Sequence, residues 1–81
     1  ESAAVVLRAL LPRLMHVEPW SAEHIKNMIN EVKTESGVKG KALFMPIRVA
    51  LTGRAHGPEL GIVAELIGRE QCLQRLRDAV A

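Results

Sequence analysis

The 81-residue sequence predicts an all-α fold, a small orthogonal or cage-like array of about five short helices in one domain spanning residues 1–81. Three observations carry that prediction. Apolar residues recur at helical spacing in five successive segments, and no segment alternates apolar and polar residues with the period of a strand. Phe44 and Trp20 are the only aromatics and Tyr is absent, so the core is drawn from Leu, Ile, Val, Met and Ala, a set that favours helix over sheet. The sequence has no internal repeat and no low-complexity tract.

The first helix is expected over residues 3–15. Leu7, Leu10, Leu11 and Leu14 form one apolar stripe, with Arg8 and Arg13 outside it. Pro12 lies within this segment; its missing N–H and its ring clash predict a kink or an early stop. A second helix begins at 22. Ser21 is placed to cap the exposed N–H groups, and Trp20 to pack on Ile25 as a hydrophobic staple. Its stripe is Ile25, Met28, Ile29 and Val32, and Gly37 is expected to close it in a left-handed cap.

Between Gly40 and Leu51 the stripe is Leu43, Phe44, Ile47 and Leu51, with Pro46 either opening a new helix or kinking one already running and Thr52-Gly53 ending it. Gly57-Pro58 signals another start. Pro58 is expected at the first helical position, Glu59 against the positive end of the helix dipole, and Leu60, Val63, Ala64 and Ile67 on the buried face. Gly68 closes that helix. The fifth buries Leu73, Leu76 and Val80, leaving Arg69, Gln74, Arg75, Arg77 and Asp78 wet.

A chain of this size buries only about 60% of the surface it exposes when unfolded. Marginal stability is therefore expected, and with it a module or excised piece that rests against something larger. No secretion signal is visible in these residues, and no apolar run approaches the roughly 20 residues of a bilayer span. The single Cys72 cannot form an intramolecular disulfide, which fits a reducing, cytoplasmic setting.

Net charge is only +2, but its distribution is uneven. Residues 37–57 hold four of the eleven Lys and Arg residues and none of the nine acids, a balance of +4, leaving the remaining seven cations and nine acids at −2. Lys39, Lys41, Arg48 and Arg54 make up that window, with His56 as a fifth potential cation. Such a window attracts polyanions over a Debye length of about 8–10 Å; the plain alternative is a solvated stretch of surface.

Catalytic constellations are missing. His16, His24, His56 and Cys72 fall at no close metal-ligand spacing, so no metal site is expected. Cys72 has no neighbouring base in sequence, and Glu59, Glu65 and Glu70 read as caps and solvated faces instead of an acid/base pair. Gly37-Val38-Lys39-Gly40-Lys41 is too short for a phosphate-binding loop and follows no strand. Binding remains, and Arg48 is its leading residue: it interrupts an apolar run, its planar fork suits a base edge or a base face, and Lys41 and Arg54 could join it around one ligand. Otherwise Arg48 lines a wet helix face or pairs with an acid.

Residues 39–60, Lys-Gly-Lys-Ala-Leu-Phe-Met-Pro-Ile-Arg-Val-Ala-Leu-Thr-Gly-Arg-Ala-His-Gly-Pro-Glu-Leu, resemble the C-terminal anticodon-binding region of bacterial glutamyl-tRNA synthetases. There a Lys-Gly, Pro-Leu-Arg, Ala-Leu-Thr-Gly, Gly-Pro-Leu progression recurs. The run Leu-Ile-Gly-Arg-Glu at 66–70, with Leu73 and Arg75-Leu76, is similar to the family's closing pattern, and Trp20-Ser21 to its tryptophan and helix cap. Ile47 stands where Leu is more usual, and Pro12 departs from the family's first helix.

The resemblance implies a helical subdomain that grips the anticodon loop of tRNA(Glu) and touches the first two anticodon bases. It implies that Arg48 contacts a base and that Gly57, Pro58 and Leu60 give backbone and apolar contacts. Lys39, Lys41 and Arg54 are assigned to phosphates on charge alone. The synthetase signatures His-Ile-Gly-His and Lys-Met-Ser-Lys-Ser are absent. No catalytic residue and no cofactor are thus expected within these residues, and ATP with Mg would serve the parent's catalytic domain. The expected partners are the tRNA(Glu) anticodon loop, tRNA(Gln) if the parent is non-discriminating, and the rest of the synthetase chain. A helical protein-docking module with incidental RNA affinity is the alternative.

Overall fold

Five helices follow one another in the computed structural model, which describes residues 2–81: α1 (Ser2–Met15), α2 (Ala22–Ser36), α3 (Lys41–Thr52), α4 (Leu60–Ile67) and α5 (Arg69–Val80). No strand occurs among the described residues. α1 packs against α2, α3 and α5, while α4 closes the other side against α2 and α5. The result measures 28 × 24 × 24 Å.

The core takes most of the expected stripes. Leu7, Leu10 and Leu14, then Ile25, Ile29 and Val32, Leu43, Ile47 and Leu51, Leu60 and Ala64, and Leu73 and Leu76 are all buried. Leu11, Met28, Ile67 and Val80 are half-buried against them. Val6, Val17 and Cys72 join the core without having been marked by the spacing, and every side chain in it is apolar. Phe44 departs from expectation: it is 40% exposed, because Leu43 and Ile47 already fill the inward face of α3.

Proline and cap chemistry decide the helix ends. α1 runs through Pro12 to Met15, so the early stop does not occur. Leu10 and Leu14, buried on either side of the proline, hold the turn in place, and Arg13 Nη1 donates to the Ala9 carbonyl at 2.9 Å beside it. Pro46 likewise lies inside α3 and opens no helix of its own. α2 starts as expected, with His24 N–H donating to Ser21 Oγ at 3.3 Å. A carboxylate from α4 adds to that cap: Ala22 N–H donates to Glu65 Oε1 at 3.3 Å.

Helix α4 begins two residues later than Pro58 predicts, with Glu59 as its N-cap. The reason is tertiary. The Pro58 carbonyl accepts from Arg48 Nη1 at 2.8 Å, and the first helical acceptor is the Glu59 carbonyl, which Val63 N–H reaches at 3.0 Å. Next along, Gly61 lets α4 touch the start of α2: a Cβ there would stand 2.6 Å from the Ala22 carbonyl oxygen. At the other end the Ala64 carbonyl accepts from Gly68 N–H at 3.0 Å, Trp20 Nε1 at 3.0 Å and Cys72 Sγ at 3.5 Å. Trp20 thus locks the α1–α2 loop onto α4.

Candidate nucleic-acid interface

The Ala-Leu-Thr-Gly run at 50–53 is the C-terminus of α3, and its parts are structural. Leu51 is buried, and its carbonyl accepts from Arg75 Nη1 at 2.6 Å. Thr52 Oγ1 donates to the Arg48 carbonyl at 2.8 Å and accepts from Arg54 N–H at 3.1 Å. Gly53 takes the left-handed conformation at φ 74°, which turns the chain away from the helix. This turn returns residues 55–58 alongside α3, where the Pro58 carbonyl meets the Arg48 guanidinium.

Two depressions flank that contact. The wider, of about 340 Å³, is lined by Gly40, Lys41, Phe44, Met45, Arg48 and the 55–57 strip. The narrower, of about 200 Å³, lies against α2 and the start of α4 and is lined by Lys26, Ile29, Asn30, Glu59, Leu60 and Gly61, again with Phe44 and Arg48. Phe44 and Arg48, one helical turn apart, therefore border both.

Of the residues singled out in the sequence, Lys41, Arg48 and Gly57 share the wider depression, and Leu60 borders the narrower one while its side chain is buried. Pro58 is exposed and takes part through its carbonyl. Lys39 and Arg54 are exposed and line neither depression. They lie just beyond opposite ends of α3, a twelve-residue helix about 18 Å long. Sequence reasoning missed Phe44 as a surface residue, and it missed Lys26, Asn30 and Glu59, which reach the site from α2 and the α4 cap. Only tertiary packing brings those three to Arg48.

Gly57 approaches the arginine closely: a Cβ there would lie 3.2 Å from Arg48 Nη1. One N–H of the Arg48 fork is thus held by backbone in a tight corner, while its Nε and Nη2 have no hydrogen-bond partner among the described residues. No ion pair among the described residues involves Lys39, Lys41, Arg48 or Arg54. The ion pairs among the described residues join Glu31 and Glu35 to Arg13, Glu59 to Lys26 and Glu18 to Arg69. The wider depression contains no carboxylate, so its cations keep their field for a ligand.

Cys72 is unsuited to chemistry. It is fully buried, and burial pushes its thiol up to about 11, partly offset by the charge of Arg75. No helix of the described residues is long and apolar enough to cross a membrane.

A family model described as an anticodon binding domain matches residues 1–80. The chain is also similar to a glutamate–tRNA ligase of Staphylococcus xylosus, 49% identical over 80 residues that cover 99% of this chain and 67% of that relative.

Proposed function

The chain belongs to the anticodon-binding domain family of glutamate–tRNA ligases, and we propose that it grips the anticodon loop of tRNA(Glu) and reads the first two anticodon bases. The observation that carries this reading is the unpaired Arg48. Its guanidinium is fixed at one corner by the Pro58 carbonyl, no described carboxylate forms an ion pair with it, and it stands between two depressions beside an exposed aromatic ring. A fork held in that way can give two parallel hydrogen bonds to a base edge, as the Watson–Crick acceptors of cytosine require.

Gly57 lets the loop approach the fork, Pro58 orients it, and Leu60 forms part of the apolar wall. Lys41 at the groove, and Lys39 and Arg54 beyond the two ends of α3, contact successive phosphates of the loop, fixing its register without reading sequence. The domain acts within a cytoplasmic synthetase whose catalytic part, using ATP with Mg, joins glutamate to the tRNA.

Titration of the isotope-labelled chain with the tRNA(Glu) anticodon stem-loop, and with a copy altered at the first two anticodon bases, tests the reading by amide shifts. Shifts at Arg48, Gly57, Glu59 and Leu60 that weaken with the altered loop are expected. Identical shifts from both loops would withdraw base reading. An interaction insensitive to salt would indicate apolar protein docking instead, because phosphate contacts produce affinity that falls steeply as salt rises.

A further inference from the structure

Phe44 is an aromatic side chain left 40% exposed on a helix whose neighbouring Leu43 and Ile47 are fully buried. The core does not need its outer face. It stands one turn before Arg48, so ring and guanidinium occupy the same side of α3, and these two residues alone border both depressions. The depressions differ in chemistry: the wider carries Lys41, His56 and Arg48 with no acid, whereas the narrower carries Glu59, Asn30 and Lys26, both hydrogen-bond acceptors and donors. Their volumes of about 340 and 200 Å³ lie at or below the low end of the roughly 300–1,000 Å³ of pockets for drug-sized ligands, a scale that fits one planar ring each.

Resting on the anticodon reading above, we propose that Phe44 is a stacking platform that parts two adjacent unpaired bases of the loop, directing one into each depression, and is thereby a specificity-determining residue. A base splayed from a loop loses its stacking neighbours, and an aromatic face replaces them, worth about tenfold in affinity per base. The ring discriminates indirectly. By fixing the plane of a stacked base it sets which edge meets the free N–H groups of Arg48 and which meets the carboxylate of Glu59.

The test crosses protein and RNA variants in anisotropy titrations. Wild type, Phe44→Leu and Phe44→Trp are each titrated with the intact anticodon stem-loop, with loops made abasic at the first or second anticodon position, and with a base-altered loop. Thermal melts of the variants check that each is folded, which is expected because the ring is partly outside the core. Phe44→Leu is expected to bind the intact loop about tenfold more weakly, Phe44→Trp to restore binding, and wild type and Phe44→Leu to bind one of the abasic loops equally. Equal loss of affinity for intact and abasic loops would overturn the proposal, since the ring would then touch no base. Retained affinity in Phe44→Leu, with wild type still rejecting the altered loop, would overturn it while leaving anticodon reading in place. Failure of wild type to distinguish the altered loop would remove both.

Discussion

Arg13 and Arg48 are the same residue type, each on a helix that contributes four or three leucines and isoleucines and valines to one core, yet they are used in opposite ways. Arg13 lies on the α1–α2 seam, where Nε meets Glu31 at 3.3 Å and Nη2 meets Glu35 at 2.9 Å. Hydrogen bonding to Glu35 and then to Glu31 holds its proton more tightly than usual, and Nη1 is taken by the Ala9 carbonyl. Arg48, on the groove side of α3, has one carbonyl partner and no acid. A saturated cation joins elements of the scaffold and offers little to a ligand. An unsaturated one held in a fixed pose contributes little to stability and keeps its donors for a partner.

The largest effect lies in the scaffold. Gly61→Ala would drive a methyl group into the Ala22 carbonyl, a backbone atom that cannot rotate away, and part α4 from α2. A loss of about 2–3 kcal/mol, read by urea unfolding, is expected. Wild-type stability would show that the two helices slide easily and that the scaffold is softer than its packing indicates.

Next is the groove. Arg48→Ala should weaken stem-loop binding by about 1–3 kcal/mol and flatten discrimination at one base, with little change in melting temperature. Gly57→Ala should do part of the same by crowding Nη1. A large drop in melting temperature for Arg48→Ala would erase the contrast with Arg13. Arg13→Ala should give the mirror image: a melting temperature lower by a few degrees, smaller still at high salt because the pairs are partly exposed, and unchanged base selectivity.

The smallest effect at neutral pH comes from Cys72. Its folded value, raised to about 11, exceeds its ordinary 9.0. Ionisation therefore favours the unfolded chain: the contribution is unaffected below pH 9, and stability falls as pH rises from about 9 towards 11, by up to roughly 2 kcal/mol. Cys72→Ser unfolding curves across that range check it, since the serine variant should lack the decline assigned to the thiol. The same burial predicts that thiol reagents label Cys72 only as fast as the domain opens.

Much of this was legible in the chain. Ser21, Gly37, Gly53 and Gly68 mark helix ends that the structure keeps, since caps and turns depend on a few neighbouring residues. The concentration of unopposed cations in residues 37–57 was also legible, because charge counts need no geometry. Pro58 was misleading: its local preference for a first helical position lost to a hydrogen bond from Arg48, ten residues away in sequence. Phe44 was assigned to the core because its spacing fits the stripe, and only the crowding of Leu43 and Ile47 turned it outward.

The sequence by itself determined the helices, their order, most of the core and the position of the basic window, all of which follow from short-range periodicity, capping and composition. Tertiary structure alone decided which cations are neutralised and which are free, and which residues of α2 and α4 share the groove with Arg48. The reason is distance. Ion pairs and groove walls join side chains tens of residues apart, as Arg69 and Glu18 are joined at 2.7 Å, and no local pattern encodes such a meeting until the helices have packed.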